Sequence, residues 1–273
     1  MVRTVSIDGV IVPEQDATIS IFDRGFLYGD GLFETFRTWD GVAVDWPEHR
    51  ARLEHSAAAL QMRVGAIDVE GAIAAAGAGD HRVKLIVTRG PGSPGARLAT
   101  LGPGRTIIIV EPLGEPPRTA TARVVDWPLA RRREGHKLLG YVENLIAREL
   151  AAPADEAIRL DADGFVAEGA MSNVFVVEDG VAWTPPLGTG VLGGITRGHV
   201  IALGAKERRI CVDELRRADE LFVTSAIRGV AAITQLDGES RAVGELTADF
   251  AARYERAMRE RAQHFAANRR VPD

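Results

Sequence analysis

Cysteine is almost absent from this 273-residue chain: Cys211 stands alone, so neither an internal disulfide nor a cysteine-built metal cage can form. Long apolar runs are missing as well. Stretches such as Thr106–Val110 are far too short to span a bilayer. The opening MVRTVSIDGVIV alternates like a strand and has neither a signal-peptide core nor a small-residue cleavage pattern. These absences lead us to expect a cytoplasmic protein with no membrane segment. Excess positive charge is also lacking. The formal net charge is −5, which leaves no basic field to attract nucleic acid. Lysine is scarce: of 33 basic residues only Lys84, Lys137 and Lys206 are lysines. Any chemistry that requires a lysine amine therefore has three candidates. No cluster suggests a metal site.

What is present reads as mixed α/β. Val2–Ile7 and Gly9–Val12 form an expected hairpin about Asp8-Gly9, and Leu32–Trp39 a strand closed by Asp40-Gly41. Pro47–Met62 has helical periodicity, with Leu53, Ala57 and Leu60 on one face, and Asp68–Ala76 is a second helix. Strands Arg82–Thr88 and Arg105–Glu111 flank a long Gly/Pro loop, Arg89–Gly104. The two prolines in Leu113–Thr119 suit a linker. We therefore expect a smaller domain over 1–112, a linker over 113–119 and a larger domain over 120–273. The second half reads as a strand at Ala122–Asp126, a helix at Tyr141–Ala151, then short strands at Glu156–Leu160, Phe165–Ala167, Val174–Glu178 and Val181–Thr184. A helix from Thr196, buried strands at Leu221–Thr224 and Val230–Leu236, and an amphipathic helix at Leu246–Phe265 complete it. Short hairpins of this kind argue against a doubly wound parallel sheet.

Of the lysines, Lys84 alternates with Val83 and Leu85 and is expected to face solvent, and Lys206 lies in a charged helix end. Lys137 differs. It precedes a helix that is apolar along one face, and an amine near apolar neighbours sheds its proton more readily and attacks carbonyls. Further on, Glu168-Gly169-Ala170-Met171-Ser172-Asn173 places a carboxylate and an amide ahead of a strand. Gly193-Gly194-Ile195-Thr196 is a glycine turn opening a helix, whose free N–H groups and dipole suit a phosphate.

Taken together, Lys137-x-x-x-Tyr141-x-x-Asn144, Glu168-x-x-x-Ser172-Asn173-x-Phe175 and Gly194-Ile195-Thr196-Arg197 resemble, in order and spacing, the class IV aminotransferases. Asp23–Thr35 and His49-Arg50-Ala51-Arg52-Leu53 extend the resemblance over nearly the whole chain. It implies a two-domain fold-type IV enzyme of mixed α+β class, with a small N-terminal α/β domain and a larger C-terminal domain that has a barrel-like β core. The implied cofactor is pyridoxal 5'-phosphate (PLP). By the same resemblance Lys137 is the Schiff-base lysine, which also shuttles a proton. Glu168 pairs with the pyridine nitrogen, and Tyr141 bonds the phenolic oxygen. Arg50 is implied as a phosphate-binding arginine. Ile195 and Thr196, with Gly194, match the phosphate cup, Thr224 and Ser225 a second phosphate turn, and Ser172 and Asn173 the same cofactor site. Leu138 stands where the family often has Ser or Thr, and Thr224 where branched-chain transaminases have a glycine.

The substrate pocket is expected to draw on Tyr28, Phe33, Thr35, Arg37, Arg89 and Arg97. Thr88-Arg89-Gly90 resembles D-amino-acid transaminases, and Phe33-Glu34-Thr35 resembles aminodeoxychorismate lyases. The loop after Arg89 does not keep the lyase pattern in its second half. The expectation is therefore a ping-pong transamination between an amino donor, a D-amino acid first, and a 2-oxo acid acceptor. (R)-amine and branched-chain donors stay open, and lysis of 4-amino-4-deoxychorismate is the alternative. The family is typically a homodimer, with the Tyr28 loop reaching its neighbour.

Overall fold

The computed structural model describes residues 3–93, 95–98, 101–102, 104–129 and 135–268. Val2, at the start of the first expected strand, and Pro94, in the long loop, lie outside the described residues. The chain packs as two units. The first runs to Glu115 and takes in His136–Tyr141 and the chain from Met258; the second comprises Pro116–Gly135 and Val142–Ala257.

The first unit contains β1 (Thr4–Ile7), β2 (Val10–Val12), α1 (Arg24–Tyr28), β3 (Gly31–Arg37), α2 (Trp46–Ala59), α3 (Val69–Ala76), β4 (His81–Thr88) and β5 (Thr106–Pro112). Its strands pair antiparallel in the order β2-β1-β5-β4-β3. Asp8-Gly9 and Asp40-Gly41 turn with positive φ, at 52° and 85° and at 50° and 77°, the geometry that favours Asp-Gly in two-residue turns. Strand alternation sorts the side chains by face. Leu32, Phe36, Val83 and Leu85 are buried together with Leu53 and Ala57 of α2. Each of the larger side chains, Val, Leu or Phe, contributes roughly 2 kcal/mol by leaving water. The opposite face carries Phe33, paired with Ile86, and Thr35, paired with Lys84.

The second unit holds β6 (Thr119–Val124), α4 (Val142–Ala151), β7 (Glu156–Leu160), β8 (Val166–Gly169), β9 (Asn173–Glu178) and β10 (Val181–Thr184). After these come α5 (Ile195–Ala202), β11 (Lys206–Glu207), α6 (Val212–Arg217), β12 (Glu220–Ser225), β13 (Gly229–Leu236), β14 (Glu239–Ser240) and α7 (Glu245–Asn268), which passes into the first unit at Met258. The sheet runs β11-β10-β9-β12-β13-β6-β7-β8, with β14 on β13. Edge strand β8 turns directly into β9 near the other end, closed by Gly169 N–H to Ser172 O at 2.8 Å. That short turn forces the sheet to curl into a half-barrel. Its interior is filled by Ile158, Val166, Val174, Val176, Leu215, Leu221, Val223 and Ile233.

The architecture is the mixed α/β one expected. Among the described residues no helix is long and apolar enough to cross a membrane. Helices α1 and α6 add to the expected elements; five and six residues are too few to display a helical period.

Candidate active site

In the first unit, the segment carrying Lys137 lies along the edge of β3. Phe33 N–H donates to Lys137 O at 3.0 Å, Leu139 N–H donates to Gly31 O at 3.0 Å, and Leu138 bridges Leu32. This pairing satisfies the edge of the strand. It also sets Lys137 Nζ 4.6 Å from the Phe33 ring centroid, a cation–π approach. The Tyr141 ring meets the same ring edge-on at 5.3 Å and 89°. Lys84 departs from expectation. It is half-buried, with Nζ 5.3 Å from the Phe33 centroid, because the face of β4 opposite Val83 and Leu85 is lined by Phe33 rather than water.

The other residues expected around the substrate divide. Thr35 is half-buried on the Phe33 side of β3, and Tyr28 is 52% exposed with the Arg24 guanidinium 5.1 Å over its ring. Arg37 is bound to Thr38 O and Asp80 and lies 4.1 Å over the Trp39 ring. Arg97 is exposed. Arg89 corrects its expectation. It is 4% exposed, its Nε bonds both oxygens of Asp30 at 2.8 Å, and its terminal nitrogens donate to Leu60 O and Gln61 O at 3.0 Å. These bonds brace the end of α2 and engage the Arg89 guanidinium within the protein.

Arg50, expected at the phosphate, is also engaged elsewhere. It lies on the outer face of α2, exposed and ion-paired with Glu54 at 2.8 Å. Two residues on, Arg52 reaches the packed face and forks onto Glu34. Glu34 also accepts the His49 Nδ1 proton at 2.7 Å, and both residues are 1% exposed. Burial alone would raise the Glu34 carboxyl, but the His49 bond and the Arg52 charge outweigh it and hold the group down to about 2. Burial also pushes the His49 imidazole below its ordinary value against the pull of Glu34. Burial therefore favours the neutral imidazole, whose Nδ1–H donates to Glu34.

The second unit carries the expected carboxylate. Glu168 is half-buried on β8, and its Oε2 accepts the Leu192 amide at 2.8 Å and the Asn173 side-chain amide at 3.4 Å. Asn173, 5% exposed, donates in turn to Leu192 O at 2.9 Å. Gly194 caps α5, and a Cβ there would lie 2.0 Å from Asn173 Oδ1, so any larger residue would have to displace the Asn173 side chain. The first-turn N–H groups of α5, at Ile195 and Thr196, lack intrahelical acceptors. Thr196 itself is 2% exposed, with Oγ1 3.4 Å from Tyr254 Oη. Thr224 pairs with Asn173 across β12 and β9. Its Oγ1 is buried with no hydrogen-bond partner among the described residues, and a buried hydroxyl left so costs roughly 1–3 kcal/mol unless a ligand completes it. Ser225 Oγ accepts from Arg228 N–H at 3.2 Å. Ser172, expected at the cofactor, instead donates its hydroxyl to buried Glu156 at 2.7 Å. The orphaned hydroxyl, the glycine junction and the helix start fit a phosphate group.

Gly135, two residues before Lys137, bridges Leu192, whose amide Glu168 accepts. A Cβ at Gly135 would lie 2.5 Å from Val191 O.

Residues 31–236 match the family described as Amino-transferase class IV. The provisionally named branched-chain-amino-acid aminotransferase of Methanocaldococcus jannaschii is 36% identical over 89% of this chain and 92% of that protein. D-alanine aminotransferase of Bacillus licheniformis is 33% identical over 89% and 93%. Aminodeoxychorismate lyase of Bacillus subtilis is 32% identical over 85% and 86%. Among solved structures, the Thermoproteus uzoniensis branched-chain aminotransferase with norvaline superposes with a TM-score of 0.83 at 28% identity, covering 94% of this chain and 95% of that one. A second branched-chain amino acid aminotransferase, from T.th. and complexed with N-(5'-phosphopyridoxyl)-L-glutamate, gives 0.84 at 25% identity, covering 94% of both chains.

Proposed function

Because this chain belongs to the class IV aminotransferases, enzymes that use PLP, we propose that it moves the amino group of an apolar, branched-chain amino acid to a 2-oxo acid in two half-reactions. The observation that carries this reading is the aromatic wall beside the amine: Phe33 at 4.6 Å from Lys137 Nζ, with Tyr141 edge-on to it. An apolar donor side chain gains by burial against such a wall, whereas a polar one would lose solvation. The D-amino-acid expectation drew on Thr88-Arg89-Gly90; Arg89 spends its donors on Asp30, Gln61 and Leu60, which favours the apolar donor, with a D-amino acid as the second reading.

When bound, PLP supplies an aldehyde that captures amines and a ring that accepts the electrons released as the donor's α-proton departs. The protein's part is assigned as follows. Lys137 would hold the cofactor covalently through Nζ; once an incoming donor amine displaced it, the freed Nζ would be the base that takes the donor's α-proton and gives it back. Glu168, aimed by Leu192 N–H and Asn173, offers a negative oxygen to the ring nitrogen and keeps it protonated. Tyr141 bonds the ring oxygen. The N–H groups of Ile195 and Thr196, with the Thr224 and Ser225 hydroxyls, receive the phosphate. Membership of the family, whose model spans both residues, supports assigning Lys137 and Glu168 to one cofactor. The proposal includes a homodimer, supported by exposed Phe22, Phe26, Leu27 and Tyr28, and a cytoplasmic setting, supported by the lone cysteine.

Incubation of the purified PLP-loaded protein with 2-oxoglutarate or pyruvate and each of L-leucine, L-valine, D-alanine and (R)-1-phenylethylamine tests this. Fastest formation of the branched 2-oxo acid is expected, and borohydride should leave a phosphopyridoxyl group on Lys137 detectable by mass spectrometry. Preferred turnover of D-alanine would sink the donor assignment. Failure with every donor, together with 4-aminobenzoate from aminodeoxychorismate, would make the protein a lyase.

A further inference from the structure

A second carboxyl group lies buried close to Glu168 in the second unit. Glu156, the first residue of β7, is 2% exposed. Its hydrogen-bond partners are neutral: Ser172 Oγ donates to Oε2 at 2.7 Å, and the amides of Met171 and Ala157 reach Oε1 at 3.3 and 3.1 Å. Burial pushes the carboxyl above its ordinary value despite these bonds, and the charge of Arg228 opposes it only weakly. Holding a carboxyl here costs free energy that an apolar strand residue would not, so something must be gained in exchange.

What it holds is the turn between β8 and β9. That turn is closed by Gly169 N–H to Ser172 O at 2.8 Å and tied to β7 by Ala170 N–H to Ala157 O at 2.9 Å. Glu156 fills its hollow. A Cβ at position 169 would come within 2.3 Å of Ser172 Oγ and 2.9 Å of Glu156 Cδ, so the glycine keeps that space open for this carboxyl and its bond. The residues flanking the turn are Glu168 and Asn173, which touch each other and both bond the backbone of Leu192.

We infer that Glu156 is a positioning residue: by clamping the Gly169–Ser172 turn it fixes the orientation of Glu168 and Asn173, and through them the charge presented to the cofactor ring. This rests on the reading that Glu168 serves PLP.

The test compares holoenzyme of wild type, Glu156→Gln, Glu156→Ala and Ser172→Ala. The readouts are the visible spectrum of the bound cofactor, kcat and KM for the amino donor taken separately, and the melting temperature. Glu156→Gln keeps the acceptor oxygen and the shape, and is expected to stay near wild type. Glu156→Ala is expected to lower kcat about tenfold or more, the scale of losing a bond to a buried polar group, with a displaced cofactor band and KM little changed. Should Glu156→Ala fail to fold, Ser172→Ala removes one bond of the clamp and is expected to displace the band in the same sense by less. A folded Glu156→Ala, or failing that Ser172→Ala, with the wild-type band and kcat would overturn the inference. So would a lowered melting temperature with unchanged spectrum and kcat. A wild-type protein with no cofactor band would instead sink the underlying reading and leave a different signature.

Discussion

Phe33 holds Lys137 twice: its amide donates to the Lys137 carbonyl at 3.0 Å, and its ring lies 4.6 Å from the Lys137 amine. Backbone and side chain therefore fix the same residue. Phe33→Leu keeps the amide bond and removes the ring. We expect the KM for leucine to rise about fivefold to tenfold, the worth of an aromatic contact, with the cofactor still bound. Steady-state kinetics with a PLP titration checks this. An unchanged KM would remove the aromatic wall from the donor site.

Thr224→Val replaces the orphaned hydroxyl with an isostere. Without cofactor the variant should be as stable as wild type or firmer by about 1 kcal/mol, since a buried unsatisfied group has been removed. With cofactor the sign reverses: affinity for PLP should fall about tenfold, because one phosphate donor is lost. Melting curves of the apo protein and absorbance titrations read the two effects separately. Undiminished affinity would take Thr224 out of the phosphate cup.

Arg50 and Arg52 should answer differently to alanine. Arg50 is exposed on one surface ion pair, so its loss should change stability by no more than about 0.5 kcal/mol and PLP affinity little. Removing Arg52 strands the buried Glu34 carboxylate and should destabilise by about 3 kcal/mol or more. Urea unfolding of both variants decides the matter. A large loss of PLP affinity in Arg50→Ala would restore the phosphate role first expected of it.

Glu34 gives a pH dependence whose sign follows from its environment. Its folded value, about 2, lies below the ordinary 4.5, so the stability it confers is complete above the ordinary value and drains away as pH falls toward the folded one. The amount at stake is about 3 kcal/mol. Urea midpoints between pH 6 and pH 3 should decline in wild type, and the decline should be shallower in Glu34→Gln. Parallel curves would show that the Glu34–His49–Arg52 cluster does not set acid stability.

Much of the fold can be read from the sequence because its signals are local. Asp8-Gly9 and Asp40-Gly41 turn where they do because Asp-Gly tolerates positive φ, and Lys137 and Glu168 stand in motifs whose spacing is itself informative. What escapes reading depends on partners distant in the chain. Arg50 and Arg52 differ only by their angle about a helix axis, and motif matching does not resolve that angle. Strand alternation sets Lys84 opposite Val83, but only the 136–141 segment and Phe33 reveal that this face is not water. Arg89 lies in a motif yet spends its donors on Asp30, Leu60 and Gln61. Glu156 sits in an ordinary-looking strand, and its use appears only with the turn around it.

The stretch His136–Tyr141 completes the edge of β3 while both of its chain neighbours belong to the other unit. A fragment ending at Glu115 would lack this insert, so the Phe33 N–H and the Gly31 carbonyl would be left bare along an edge prone to sticking to other chains. Cutting the polypeptide between Glu115 and Pro116 would not separate the two units cleanly either, since His136–Tyr141 and the chain from Met258 belong to the first unit but would remain joined to the second. The lysine thus travels on a borrowed segment, and the outer edge of β3 has no cover until the ribosome has made the residues that carry it.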